Sequence, residues 1–98
     1  MKARLLFDRR VIINERSFAE LVAWKVPKSL AGSHHSFKYR LAFVVIDKCV
    51  VRFDNESGKG DHRHIGRNES PYTFTTIDKL VADFFGEVQR WRNENRNS

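Results

Sequence analysis

The residues best suited to chemistry lie in one stretch, Phe53-Asp54-Asn55-Glu56-Ser57-Gly58-Lys59-Gly60-Asp61-His62-Arg63-His64-Ile65-Gly66. Three glycines in nine residues put permissive backbone around a cluster of charge. Gly58 and Gly60 flank Lys59, and a turn of that kind can direct its amides inward as an anion-binding nest, with the ammonium adding charge. The G-x-x-x-x-G-K-[ST] spacing is absent, which disfavours a nucleoside triphosphatase.

His62-x-His64 is the sharper feature. If Asp61 to Ile65 is extended, the two imidazoles point to the same side, about 6–7 Å apart at their bases. Flanking a phosphodiester, they can serve as general base and general acid, because imidazole titrates near neutrality. Both can instead bind one divalent metal, with Asp54 or Asp61 as third ligand. The plainest alternative is a solvated turn whose histidines do nothing. Lys59, Arg63, Arg52 and Arg67 supply positive charge suited to a phosphate or its transition state. An aspartate beside a histidine, Asp54 or Asp61, would favour the charged ring and orient it. No serine or cysteine stands out as a covalent nucleophile, and Cys49 reads as a small buried hydrophobe.

A second cluster is His34-His35-Ser36-Phe37-Lys38-Tyr39-Arg40. It is either a loop entering a strand or a base-contacting edge, with aromatics for stacking and Lys38 and Arg40 for the phosphate backbone. Arg40 and Asp54, on neighbouring strands, would border the glycine loop. Trp24 is assigned to the core.

The elements that must position these residues read as strands first and a helix last. Lys2 to Phe7 and Val11 to Ile13 are apolar runs split by Asp8-Arg9-Arg10, and Asn14 to Ser17 is a turn. Phe18 to Val26 resumes as a strand and stops at Pro27, which cannot donate to a ladder. Lys38 to Ile46 alternates throughout, Asp47-Lys48 is a two-residue turn, and Cys49 to Asn55 returns. That turn pairs Ile46 with Cys49, Val44 with Val51 and Ala42 with Phe53, leaving both sheet faces largely apolar. One face takes a helix, and the second requires curvature, a second copy or a partner. Thr75-x-x-Asp78 fits a capping box. Ile77, Leu80, Val81, Phe84, Val88 and Trp91 follow as one helical stripe. The expected fold is α+β: an antiparallel β-meander of five to six strands with one C-terminal helix packed on one face.

Ninety-eight residues suit one domain, 1–98, with a frayed tail over 92–98. The apolar fraction of 41% argues against disorder, and a single cysteine excludes a disulfide framework and a multi-cysteine zinc site. The net charge is +6; residues 1–67 hold 14 Lys and Arg against 7 Asp and Glu, so the basic excess lies there and phosphate is the better partner. No stretch approaches a membrane span and no signal-peptide core develops, so a cytoplasmic protein with no membrane partner is expected.

Lys38-Tyr39-Arg40-Leu41-Ala42, Phe53-Asp54-Asn55, Gly58-Lys59-Gly60-Asp61-His62-Arg63-His64, Tyr72-x-Phe74 and Asp83-Phe84 together resemble the TumE-like family of small toxins from toxin–antitoxin pairs. The likeness runs over nearly the whole chain, and the G-K-G-D-H-R-H run is its specific part. The family commonly shows Asp-Gly where this chain has Asp47-Lys48, which bears only on the hairpin type. The resemblance implies a cognate DNA-binding antitoxin that silences the protein, and it carries over Lys38, Arg40, Asp54, Asn55, Lys59, Asp61, His62, Arg63 and His64.

The combined expectation is a toxin that cleaves RNA, with no metal and no cofactor, as a monomer or homodimer. His62, His64, Asp54 and Asp61 are its catalytic residues. Lys59, Arg63, Arg40, Lys38, Gly58, Gly60 and Asn55 hold phosphate and RNA. A metal-dependent nuclease or nucleotidyl-transfer enzyme using the same residues, and a non-catalytic module for nucleic acid or antitoxin, are the alternatives.

Overall fold

A computed structural model describes residues 2–29, 34–56 and 58–95. Its elements are β1 (Arg4–Asn14), β2 (Ser17–Lys25), β3 (Phe37–Val45), β4 (Lys48–Glu56), β5 (Gly60–Ile65), β6 (Asn68–Pro71) and α1 (Ile77–Glu94). The strands pair antiparallel in chain order, a simple six-stranded meander, and α1 crosses one face against β3 and β4. This is the α+β fold expected. Among the described residues, no helix is long and apolar enough to cross a membrane.

The covered face is built by period-2 alternation. Ala19, Leu21 and Ala23 of β2, Tyr39, Leu41 and Phe43 of β3, and Val51 and Phe53 of β4 all bury toward the helix. From α1, Leu80, Phe84 and Val88 complete the core, with Phe84 edge-on to Phe53 and Trp91 edge-on to Phe43. Fully burying one such side chain stabilises by about 1.5–3 kcal/mol, so this one layer supplies most of the driving force.

The β3–β4 turn falls one residue earlier than expected, which shifts the register by two residues before a bulge and by one beyond it. The turn is Ile46-Asp47, both with positive φ (45° and 65°), rather than Asp47-Lys48. Val45 pairs with Lys48 and Val44 with Cys49, then a bulge at Val50 brings Phe43 opposite Val51, Leu41 opposite Phe53 and Arg40 opposite Asp54. In the expected register Leu41 would have faced Asp54. The observed one gathers the large apolar side chains on the helix side and the charged ones on the other, and that burial outweighs a β-branched residue in a left-handed turn. The second face therefore mixes apolar residues, Phe18, Val22, Trp24, Ala42 and Val44, with the charged ones.

Five other expectations are corrected. β1 is continuous across Asp8-Arg9-Arg10, because an edge strand keeps those charges in water while their backbone stays in the ladder, and Arg10 pairs with Glu20 at 2.9 Å. The helix N-cap is Thr76, not Thr75; its Oγ1 accepts from the Lys79 amide at 3.1 Å. The helix runs to Glu94, with Asn95 donating from its backbone and its side chain to the Trp91 carbonyl, so the tail expected to fray from 92 is ordered through Asn95; residues 96–98 lie outside the described part. Trp24 is half-buried on the helix-free face, paired with Lys38, and Cys49 is exposed; neither belongs to the core.

Candidate active site on the helix-free face

β5 is extended as the His-x-His reading required, and its even residues point away from the helix. The His62 and His64 ring centroids lie 5.0 Å apart at 70°. Register brings Asp54 beside His62 and Arg52 beside His64 on β4, and Glu69 beside His64 on β6. Arg40 on β3 is the next strand's partner of Asp54, and it is exposed on this same face, as is Lys38 two residues before it.

The two histidines have different surroundings. His62 is buried, 6% exposed. Its Nε2 lies 2.9 Å from Asp54 Oδ1 and its Nδ1 lies 3.1 Å from the Gly60 carbonyl. Both partners only accept, so each faces a ring nitrogen able to donate. His64 is more open. Arg52 donates from its terminal nitrogen to His64 Nε2 at 2.9 Å, so that nitrogen carries a lone pair and the proton sits on Nδ1, toward Glu69 Oε2 at 3.6 Å. Arg52 Nε also lies 3.1 Å from Asp54 Oδ2. The Arg52–Asp54 and His62–Asp54 contacts hold at ion-pair distance, yet Arg52 Nε and Asp54 Oδ1 lack well-directed hydrogen bonds although both are buried. The cluster is packed but not saturated.

Asp54, His62 and His64 each offer a ligand atom within 4.8 Å of one another, a donor set suited to zinc or a similar divalent ion. Arg52 bears on that fit. Its guanidinium touches both Asp54 and His64 Nε2, so a cation already stands beside the ligand atoms.

Several expected site residues lie elsewhere. Asp61 points to the helix side, one residue out of phase with His62. There its Oδ2 contacts His35 Nε2 at 2.7 Å and accepts from the Tyr39 hydroxyl at 2.7 Å. Burial, reinforced by that carboxylate, pushes the Tyr39 hydroxyl pKa far up, so it stays protonated. Arg63 also faces the helix side, donating to Ser70 Oγ at 3.3 Å and lying 3.9 Å from Glu87 of α1. Asn55 is 2% exposed and takes over the end of the β3–β4 ladder: its Oδ1 accepts from the Tyr39 amide at 3.0 Å and its Nδ2 donates to the Phe37 carbonyl at 2.7 Å. A polar residue buried in this way is structural. Gly58 and Gly60 do take positive φ, 87° and 76°, with the Gly60 carbonyl turned to His62. Lys59 lines a cavity on the helix side with His35 and Asp61 rather than standing with the imidazole pair.

Sequence reasoning missed Glu69 and the specific place of Arg52. The signal for Glu69 is the Gly66-Arg67 turn (Gly66 φ 60°), which sets Ile65 opposite Asn68 and therefore His64 opposite Glu69.

A six-stranded meander with one covering helix and a paired-histidine, arginine-bearing helix-free face defines a small α+β protein with an ionisable cluster on that face. The chain belongs to the toxin TumE family, whose model matches residues 2–92, all six strands and most of α1. No curated protein and no solved structure matches it significantly. Membership of a toxin family implies an antitoxin partner.

Proposed function

We propose that this toxin cleaves RNA from the helix-free face, without a metal, through His62 and His64. The observation that carries the reading is the pair itself: two imidazoles 5.0 Å apart whose partners favour a proton-donating His62 and a proton-accepting His64. The substrate 2′-hydroxyl is the nucleophile. His64 Nε2 takes its proton once Arg52 swings from that nitrogen to the phosphate. The 2′-oxygen bonds to phosphorus, the P–O5′ bond breaks, and His62 protonates the departing 5′-oxygen, leaving a 2′,3′-cyclic phosphate. Asp54, 2.9 Å from His62 Nε2, orients the ring. Arg52 and Arg40 neutralise the phosphate.

The test is cleavage of single-stranded RNA by the purified protein in EDTA. His64→Ala should lower the rate about 10²–10⁴-fold, with little change in the thermal melt because the ring is partly exposed. Cleavage by His64→Ala at the wild-type rate overturns the assignment. The cluster of three ligand atoms within 4.8 Å favours a second reading, a metal-dependent nuclease. Loss of cleavage in EDTA and its return with a divalent metal would select it.

A further inference from the structure

On the helix side of β5 lies a cavity of about 290 Å³ lined by His34, His35, Lys59, Asp61, Tyr72 and Phe74, with the Gly60 backbone in its wall. Its aromatic side is one continuous cluster. His35 stacks on Phe74 with centroids 3.9 Å apart, and Phe74 also lies 5.5 Å from Phe37 and 5.7 Å from Tyr39. His35 is held at both ring nitrogens. Its Nδ1 accepts from the Phe37 amide at 3.2 Å, which places its proton on Nε2, and that proton goes to Asp61 at 2.7 Å. Both nitrogens being held, and one face packed on Phe74, the His35 ring serves as a rigid backing for Phe74. Asp61 is held in turn by Tyr39 at 2.7 Å, so the platform is braced from below. A braced aromatic platform with a lysine and an exposed histidine at its rim suits a flat aromatic group joined to an anion, which describes a nucleotide.

The cavity is not remote from the imidazole pair. The Gly60 residue that lines it gives its carbonyl to His62 Nδ1 at 3.1 Å on the other side of the strand. A single strand passing over the β4–β5 turn would thus meet both.

We propose that this cavity is a nucleotide subsite: it stacks one base of the RNA on the Phe74 ring that His35 backs and sets that nucleotide's phosphate near Lys59, beside the phosphate presented to His62 and His64. The subsite rests on the RNA reading above for its place in the substrate, but its binding is measurable without any cleavage.

The experiment titrates the full chain with each of the four nucleoside 3′-monophosphates and, separately, with inorganic phosphate, following the ring signals of His35 and Phe74 by NMR. Saturable shifts of both rings with nucleotides, and not with phosphate alone, are expected. Phe74→Leu, which keeps apolar volume, should weaken nucleotide binding about tenfold, and Lys59→Ala should weaken it with a flatter salt dependence. Thermal melts confirm that both variants fold. No ring shift with any nucleotide, or equal shifts with phosphate alone, overturns the subsite even if the protein cleaves RNA. Ring shifts together with no RNA cleavage keep the subsite and sink the nuclease reading instead.

Discussion

The Arg52 guanidinium donates to His64 Nε2 at 2.9 Å while its Nε lies 3.1 Å from Asp54. One cation thereby sets the His64 tautomer and shares Asp54 with His62. This relationship ties the state of each ring to the other.

Arg52→Gln should release the His64 ring. Nitrogen chemical shifts of His64 are expected to move from one dominant tautomer to a mixture. RNA cleavage should fall in both kcat and kcat/KM, because Arg52 also neutralises the phosphate. An unchanged tautomer would show that Arg52 does not set it.

His62 and His64 should respond differently to truncation. His62→Ala leaves the buried Asp54 carboxylate with Arg52 as its one remaining partner among the described contacts, and loss of a partner to a buried charge costs about 1–3 kcal/mol or more. His64→Ala, at a more exposed position, should cost less than about 1 kcal/mol. Urea unfolding of the two variants measures the difference; equal losses would contradict the burial of His62.

Asn55→Ala is expected to act on stability, not chemistry. It strands the Tyr39 amide and the Phe37 carbonyl, at about 1–3 kcal/mol for each group left unpaired in the interior. Cleavage per folded molecule should stay near wild type. A large fall in rate with an unchanged melt would restore Asn55 to the substrate-binding set.

Gly66 and Gly86 should give opposite signs. A Cβ at either meets nothing within 4 Å, but Gly66 sits at φ 60° in the β5–β6 turn whereas Gly86 is helical and exposed. Gly66→Ala should destabilise by about 1–2 kcal/mol, and Gly86→Ala should stabilise by about 0.5–1 kcal/mol. Thermal or urea melts decide both.

Tyr72 donates to Asp83 at 2.6 Å, clamping the segment after β6 to the helix. That hydroxyl, with Lys79, holds Asp83 below the ordinary carboxylate range. A depressed folded value stabilises the fold at pH above the unfolded value of about 3.9, and the contribution disappears as pH falls through the folded value. Asp83→Asn should therefore lower the melting temperature at neutral pH and converge with wild type in acid. A constant difference down to pH 2 would refute the clamp.

How much of this was legible beforehand divides by range. Side-chain alternation is a property of one extended strand, so the shared side of His62 and His64 followed from their spacing alone. The Ile77-to-Trp91 stripe likewise needed only the helical period, and the family likeness followed from the G-K-G-D-H-R-H run. Cross-strand partnership is different, because it depends on where a turn falls and whether a bulge intervenes. Placing the turn at Ile46-Asp47, with a bulge at Val50, put Asp54 opposite Arg40 and Val51 opposite Phe43, one residue from the expected register. By period 2, Asp61 and Arg63 had to point opposite to His62. Only the tertiary structure showed that the helix lies on their side, giving Arg63 to Ser70 and Glu87, and Asp61 to His35 and Tyr39. The sequence by itself thus determined which residues travel together along each strand, since that is local geometry. Which face they share, and with whom, was decided by long-range burial against α1, where the gain from burying the large apolar side chains exceeds any local preference of a turn.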